Sequence, residues 1–234
     1  MTYVSANSKV GGVPMTLWPG EGRRSMMPRH ATQHRNDAHV TAVRRPSVRQ
    51  VLFVQGAGKD VYAKWDNQLV WSLRRELGLR YKVRYPRMPD EAAPTFTNWR
   101  RMLVKELDTL PSSAAVVGHS IGGAILISVL AEYSPGLQLA AILLIAAPFI
   151  GRGGWEIDDI APTHGIAQRL PTGVPVFLYH GDRDTIVPLR HVDLYAKAVP
   201  YANVHHLVGR DHQLNNDLSE VAEALRGAAR DSAT

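Results

Sequence analysis

The chain has 234 residues, 45% of them apolar and 21% charged, which is ordinary for a globular protein and enough for one sizeable domain. The absence of cysteine excludes disulfides, thiolate metal sites and a cysteine nucleophile, and it is compatible with the reducing cytoplasm in which we expect the protein. The whole net charge of +6 lies in residues 1–49, so the remaining chain has no basic excess and nucleic acid is not expected as the main partner.

Residues 1–46 are rich in Arg, His, Ser, Thr and Asn and show no sustained hydrophobic period. This composition cannot bury a core and predicts a disordered basic extension before a single domain at 47–234. The segment lacks an apolar core with a cleavage site, which argues against a secretory signal. A transit peptide and a start codon placed too early are the alternatives. No apolar stretch in the chain reaches the length of a membrane span.

From residue 48 onward, the pattern predicts strands and helices in alternation. The first strand (48–54) ends at Gln55-Gly56-Ala57-Gly58, and an amphipathic helix (62–77) follows and ends at Gly78. A short strand (81–85) precedes a helix (97–110), with Thr95 or Thr97 as its N-cap. Such alternation predicts an α/β fold with a mostly parallel central sheet and helices on both faces.

The next strand (114–117) runs into Gly118-His119-Ser120-Ile121-Gly122, and a long apolar segment of helical length follows. A G-x-S-x-G pentapeptide between a strand and a helix is typical of a nucleophile elbow, which holds the serine on a strained turn above the sheet edge. Glycines flank the serine because a Cβ there would collide with the neighbouring strand or helix. We predict that Ser120 is a nucleophile; the alternative is a Gly-rich turn with a bystander serine.

The rest of the chain is predicted to hold strands at 140–146, 174–179 and 203–207 and helices at 189–199 and 216–229. A serine nucleophile needs a base for its proton and a carboxylate that orients the base. In a parallel sheet such groups collect beyond the carboxyl ends of the strands. One strand leads to Asp182 and Asp184, and the last strand leads to His212.

These motifs, in the order Ser, Asp, His and each after its own strand, make the chain resemble the α/β-hydrolase fold family over about 48–229. The stretch from His180 to Pro188 resembles that family's acid loop, in which the second aspartate belongs to the triad. The resemblance implies catalytic roles for Ser120, Asp184 and His212. The alternatives are Asp182 as the acid and His205 or His206 as the base. We expect structural roles for His119 and His180.

The resemblance also implies an oxyanion hole made of main-chain N–H groups. One donor should be Ile121, the residue after the nucleophile, and the other should come from the loop after the first strand. Ala57 is the first choice there and Gly58 the second. Gln55 stands where the family has histidine.

A narrower resemblance rests on Tyr85-Pro86-Arg87-Met88-Pro89-Asp90, Trp99 and His212-Gln213-x-Asn215. These residues are similar to those of the small serine hydrolases named after retinoblastoma-binding protein nine, which lack a large cap domain. The segment between Pro148 and Val174 is likewise too short for a cap domain.

Phe149 and Trp155 follow a predicted strand end, and we expect them to line a substrate pocket; packing in a short lid is the alternative. The histidines lack metal-ligand spacing and no phosphate-binding loop is present, so no metal or cofactor is expected. We therefore predict a cofactor-independent serine hydrolase, most simply a carboxylesterase acting on a small-molecule ester or acyl substrate. A non-catalytic binding or scaffold protein is the alternative, as is an acyltransferase or peptidase with the same triad.

Overall fold

The computed structural model describes residues 48–133 and 138–231, and the predicted extension over 1–46 lies outside them. A six-stranded sheet, in which every pairing is parallel, runs through the described part of the chain. Its strands are β1 (Arg49–Val54), β2 (Tyr81–Arg84), β3 (Ala115–His119), β4 (Ala141–Ile145), β5 (Val176–Gly181) and β6 (Asn203–Leu207). Their spatial order is β2-β1-β3-β4-β5-β6. The predicted parallel sheet is confirmed.

Five α-helices in the described residues cover the two faces of the sheet. They are α1 (Asp66–Leu77), α2 (Phe96–Asp108), α3 (Ser120–Glu132), α4 (Arg190–Ala198) and α5 (Ser219–Asp231). One apolar cluster packs α2, α3 and α4 against the sheet, and a second packs α1 and α5 against the other face. None of the described helices is long and apolar enough to cross a membrane.

Local sequence signals explain where several helices begin and end. The Thr95 hydroxyl accepts a hydrogen bond from Asn98 N, as an N-cap should, and Gly78 ends α1 with a φ of 63°. The helix predicted from residue 62 instead begins at Asp66, after a π-helical turn at Val61–Trp65. That wider turn stacks Tyr62 on Tyr85 with 4.5 Å between ring centres, a tertiary contact that the hydrophobic period does not encode.

Parallel strands bring four loops to one edge of the sheet, because the carboxyl ends of β1, β3, β5 and β6 all point that way. We name them by residue: the oxyanion loop (55–58), the elbow (118–122), the acid loop (182–188) and the histidine loop (208–213). The connection from β4 to β5 adds only a short 3₁₀ turn at Ile166–Arg169 and a bridge between Ile150 and Trp155. No large cap covers this edge in the described residues.

Candidate active site

The elbow holds Ser120 in a left-handed backbone conformation, with a φ of 51°, at the junction of β3 and α3. This conformation is costly for a residue with a side chain and persists where the surroundings enforce it. A Cβ on Gly118 would lie 2.5 Å from Gly123 Cα, and a Cβ on Gly122 would lie 1.9 Å from Gln55 O. The flanking glycines are therefore required by contact, as the pentapeptide predicts.

The acid loop and the histidine loop bring Asp184 and His212 together. His212 Nδ1 lies 2.7 Å from Asp184 Oδ2, and the other carboxylate oxygen accepts hydrogen bonds of 2.8 Å from Ile186 N and Val187 N. Because a carboxylate only accepts, His212 must carry its proton on Nδ1 when neutral. This tautomer leaves Nε2 as the basic nitrogen of the ring.

The two pKa values in this pair are set by different forces. Burial alone would raise the pKa of Asp184, but hydrogen bonds from His180, His212 and Val187 N outweigh burial and hold the pKa well below its usual range. Burial lowers the pKa of His212; the hydrogen bond to Asp184 opposes this, the charge of His119 adds to it, and the net pKa is lowered. A histidine of this kind is neutral, and therefore able to act as a base, at neutral pH.

The structure brings the elbow against the histidine loop through His119, whose Nε2 lies 3.1 Å from the carbonyl oxygen of His212. Among the described residues, no hydrogen bond joins the Ser120 hydroxyl to the His212 imidazole. Such bonds are often long without substrate and tighten when it binds. The catalytic roles of Ser120, Asp184 and His212 therefore stay predictions that this geometry supports.

The hydrogen bonds of main-chain N–H groups in the loop after β1 distinguish between Ala57 and Gly58 as oxyanion donors. Gly56 N donates to Asp66 over 2.6 Å and Gly58 N donates to Glu91 O over 2.7 Å, whereas Ala57 N has no partner among the described residues. Ile121 lies in the first turn of α3, where N–H groups lack intrahelical acceptors. The geometry favours Ala57 over Gly58 as the partner of Ile121.

The buried Gln55 side chain fixes the oxyanion loop in place of the family's histidine. Its Nε2 donates to Glu91 over 2.7 Å and its Oε1 accepts from Met88 N over 3.1 Å. Burial would raise the pKa of Glu91, but hydrogen bonds from Gln55, Tyr62 N and Arg87 lower it, so the carboxylate stays charged. Gln55 therefore joins the oxyanion loop to the segment that holds Met88 and Glu91.

The alternatives for acid and base have other partners. Asp182 Oδ1 accepts a 2.6 Å hydrogen bond from Gly209 N and so ties the acid loop to the histidine loop, consistent with a structural role. His205 stacks on Tyr179 within the sheet, and His206 pairs with Asp193 on the surface. His180 Nε2 contacts Val187 O at 2.8 Å and Asp184 Oδ2 at 3.2 Å, so it contacts the same carboxylate oxygen as His212.

The two predicted substrate-binding residues lie in different surroundings. Phe149 is 1% exposed and packs edge-on against Tyr195 and His164, which makes it a core side chain in this structure. Trp155 is half-buried against His191, and its role in a pocket stays a prediction. An open depression of about 590 Å³ lies beside the oxyanion loop; its lining is Lys59, Asp60 and residues 87–93, and it includes neither Ser120 nor His212.

Sequence reasoning missed Asp66, a fully buried carboxylate beneath the elbow. It contacts His119 Nδ1 at 2.9 Å and Gly56 N at 2.6 Å. A signal was present: Asp66 falls on the apolar face of α1, in period with Leu69 and Leu73. A charged residue at a core position of an amphipathic helix has a buried partner or a function.

The described residues contain no group of three or more His, Asp or Glu side chains arranged to hold a metal ion.

Solved structures with similar folds include hydrolases and esterases. The esterase domain of a Rhodothermus marinus protein superposes with a TM-score of 0.55 at 21% identity, covering 80% of this chain and 89% of that one. The ydeN gene product of B. subtilis gives a TM-score of 0.62 at 18% identity, and the superposition covers 77% of this chain and 98% of that one. A serine hydrolase without lid from Xanthomonas campestris gives a TM-score of 0.53 at 16% identity, and the superposition covers 80% of this chain and 83% of that one. At these identities the likeness shows the α/β-hydrolase fold.

No curated protein sequence matches this chain significantly. A model of one protein family does, over residues 51–212, which span β1 through the histidine loop and include the elbow and the acid loop. The match covers more than half of the chain and includes Ser120, Asp184 and His212. The chain therefore belongs to the serine hydrolase family.

Proposed function

We propose that the protein is a carboxylesterase that hydrolyses small esters through an acyl-enzyme on Ser120. The observation that carries this proposal is the 2.7 Å contact between His212 Nδ1 and Asp184 Oδ2 at the sheet edge where Ser120 is held in a strained conformation. Membership of the serine hydrolase family and the esterase domain among the similar folds support it.

In the proposed reaction, His212 Nε2 takes the proton of the Ser120 hydroxyl as the oxygen attacks the acyl carbon. The tetrahedral oxyanion receives hydrogen bonds from the main-chain N–H groups of Ala57 and Ile121. His212 then returns the proton to the leaving alkoxide, and the acyl group stays on Ser120. Asp184 keeps the imidazole in the required tautomer and stabilises its positive charge throughout.

Water completes the cycle by attacking the acyl-enzyme. His212 accepts a proton from the water, the same oxyanion donors act again, and the carboxylic acid leaves with Ser120 restored. The described residues include no large cap over this edge, which suits small substrates. No step requires a metal or an organic cofactor.

The proposal is tested with Ser120→Ala beside a matched control, Ser128→Ala. Ser128 lies in the same helix, is buried, and its hydroxyl has no partner among the described residues. We expect wild type and Ser128→Ala to bind a fluorophosphonate probe covalently and to hydrolyse p-nitrophenyl acetate. Ser120→Ala should lose labelling and about 10⁶-fold in kcat.

A folded wild-type protein that neither labels nor hydrolyses the ester would overturn the proposal in favour of a binding protein on this fold. Labelling without ester hydrolysis would contradict the carboxylesterase assignment and point to an acyltransferase or peptidase.

A further inference from the structure

Asp66, the first residue of α1, is a buried carboxylate at the meeting point of three loops. Its Oδ2 accepts hydrogen bonds from Gly56 N at 2.6 Å and from His119 Nδ1 at 2.9 Å, and its Oδ1 accepts from Gln213 Nε2 at 3.4 Å. Burial acts to raise the pKa of Asp66, but the charge of His119 and the hydrogen bonds from His119, Gly56 N and Gln213 outweigh burial and lower the pKa, so the carboxyl group is ionised. A buried carboxylate without a positive partner would cost several kcal/mol.

His119 supplies that positive partner. One ring nitrogen faces Asp66 Oδ2 and the other faces the carbonyl oxygen of His212, at 3.1 Å. Both neighbours only accept hydrogen bonds, so the ring satisfies both of them only when each nitrogen carries a proton. Burial acts to lower the pKa of His119, but the charge of Asp66 and its hydrogen bond outweigh burial and raise it. His119 is therefore an imidazolium, and the pair is a buried ion pair.

This ion pair joins the segments that carry the proposed catalytic groups. Gly56 precedes Ala57 in the oxyanion loop, His119 precedes Ser120 in the elbow, and Gln213 follows His212 in the histidine loop. Asp66 or its partner contacts all three segments. A single buried anion thus sets the relative position of the nucleophile, the base and one oxyanion donor.

The pair also places a positive charge beside the proposed base. The ring centres of His119 and His212 are 4.9 Å apart. The charged groups that face His212 are Asp184 from the acid loop, His119 from the elbow and, farther away, Asp66 from α1. His180 contacts Asp184 Oδ2 at 3.2 Å. Tyr85 is a neutral hydroxyl near Asp66, because burial and then the charge of Asp66 raise its pKa.

We propose that the Asp66–His119 ion pair is a positioning device of the active site, which aligns the oxyanion loop, the elbow and the histidine loop and places a positive charge that disfavours protonation of His212. This inference rests on the proposed function, since it assigns a task to the pair in that reaction. Asp66 and His119 are positioning residues and do not touch the reacting atoms.

The test compares Asp66→Asn with Asp60→Asn as the matched control. An asparagine oxygen in the place of Oδ2 still accepts from Gly56 N and from Nδ1–H of a neutral His119, so these two contacts survive while both charges disappear. Asp60 is an exposed carboxylate six residues earlier whose partner is Lys64. The first readout is the pH profile of kcat/KM for p-nitrophenyl acetate.

We expect the acid limb of kcat/KM to move to higher pH by about half a unit or more in Asp66→Asn, because the nearer of the two lost charges is the positive one. kcat should fall about ten- to a hundredfold with little change in KM, as expected when catalytic groups lose alignment. Asp60→Asn should match the wild type. An unchanged acid limb in a folded Asp66→Asn overturns the electrostatic role, and an unchanged kcat overturns the alignment role.

A second readout needs no turnover and uses the wild-type protein. Imidazole ¹⁵N NMR at pH 6.5, the ordinary histidine pKa, should show His119 predominantly protonated on both nitrogens while His212 is predominantly neutral. A neutral His119 overturns the proposal even if Asp66→Asn does not fold. If the wild type neither labels with the fluorophosphonate probe nor turns over the ester, the proposed function fails, and the NMR result still decides on the ion pair.

Discussion

Two aspartate–histidine pairs lie side by side at the carboxyl edge of the sheet, and they differ in what the second ring nitrogen contacts. In the Asp184–His212 pair, Nδ1 is bonded to the carboxylate and Nε2 has no partner among the described residues. In the Asp66–His119 pair, both nitrogens face acceptors. Burial is the largest influence on His212, and its pKa is lowered. The pKa of His119 is raised in spite of burial.

A carboxylate at hydrogen-bond distance therefore does not by itself determine the charge of a histidine. A free nitrogen keeps the ring able to gain and lose a proton, as a catalytic base must. A second acceptor fixes the proton and turns the ring into a structural cation. The first pair is therefore suited to chemistry and the second to holding the site together.

Among substitutions in the two aspartate–histidine pairs, Asp184→Asn should have the largest effect on activity and little effect on stability. The asparagine amide can donate to His212 Nδ1 and so favours the wrong tautomer, and we expect kcat/KM to fall about 10³- to 10⁴-fold. Steady-state kinetics measures the loss, and urea unfolding measures stability. The control is Asp182→Asn, whose amide oxygen still accepts the hydrogen bond from Gly209 N. Its kcat/KM should change by less than about tenfold. Equal losses in both variants would contradict Asp184 as the acid.

Asp66→Ala should differ from Asp184→Asn in having a large effect on stability. The change leaves Gly56 N and His119 Nδ1 without a buried acceptor and costs about 2–4 kcal/mol in the free energy of unfolding. Urea denaturation checks this value. Asp60→Ala is the control and should cost less than about 1 kcal/mol, because its ion pair with Lys64 is exposed. Similar small losses in both variants would mean that the buried pair does not hold the site together.

The pH dependence of the wild type should sharpen the contrast between the two histidines. His212 acts as a base only when neutral, so kcat/KM falls as the pH drops through its pKa. Because that pKa is lowered, the acid limb should lie below the ordinary histidine value of about 6.5. A profile of kcat/KM from pH 4.5 to 8 measures it. An acid limb above pH 7 would show that the hydrogen bond from His212 to Asp184 outweighs the effects of burial and of the charge of His119 on the pKa of His212.

Much of the fold follows from local patterns in the sequence. Strands β1, β3, β4 and β5 are continuous apolar runs, because both faces of a parallel sheet are covered. Such runs are easily recognised in the sequence and predict these strands well. The G-x-S-x-G motif predicts the elbow because the close contacts at Gly118 and Gly122 exclude any side chain there. Asp184 and His212 follow strand ends, and topology then brings them together.

The parts that the sequence did not predict depend on contacts between distant residues. Asp66 and His119 are 53 positions apart, and only the packing of α1 under the elbow joins them. Trp155 and Phe149 are aromatic residues close together in one loop, yet only the tertiary structure shows that Phe149 lies inside the core. The π-helical turn before α1 accompanies the stacking of Tyr62 on Tyr85, a contact between residues 23 positions apart.

The acid loop and the histidine loop are joined by main-chain contacts as well as by Asp184 and His212. Arg183 N donates to Arg210 O over 2.9 Å, and a Cβ on Gly181 would lie 2.2 Å from that same oxygen. The two loops therefore form one cooperative unit, whose amides should exchange with solvent through a shared opening. For anyone who wishes to graft a new specificity onto this scaffold, the two loops are a single part and must be exchanged together.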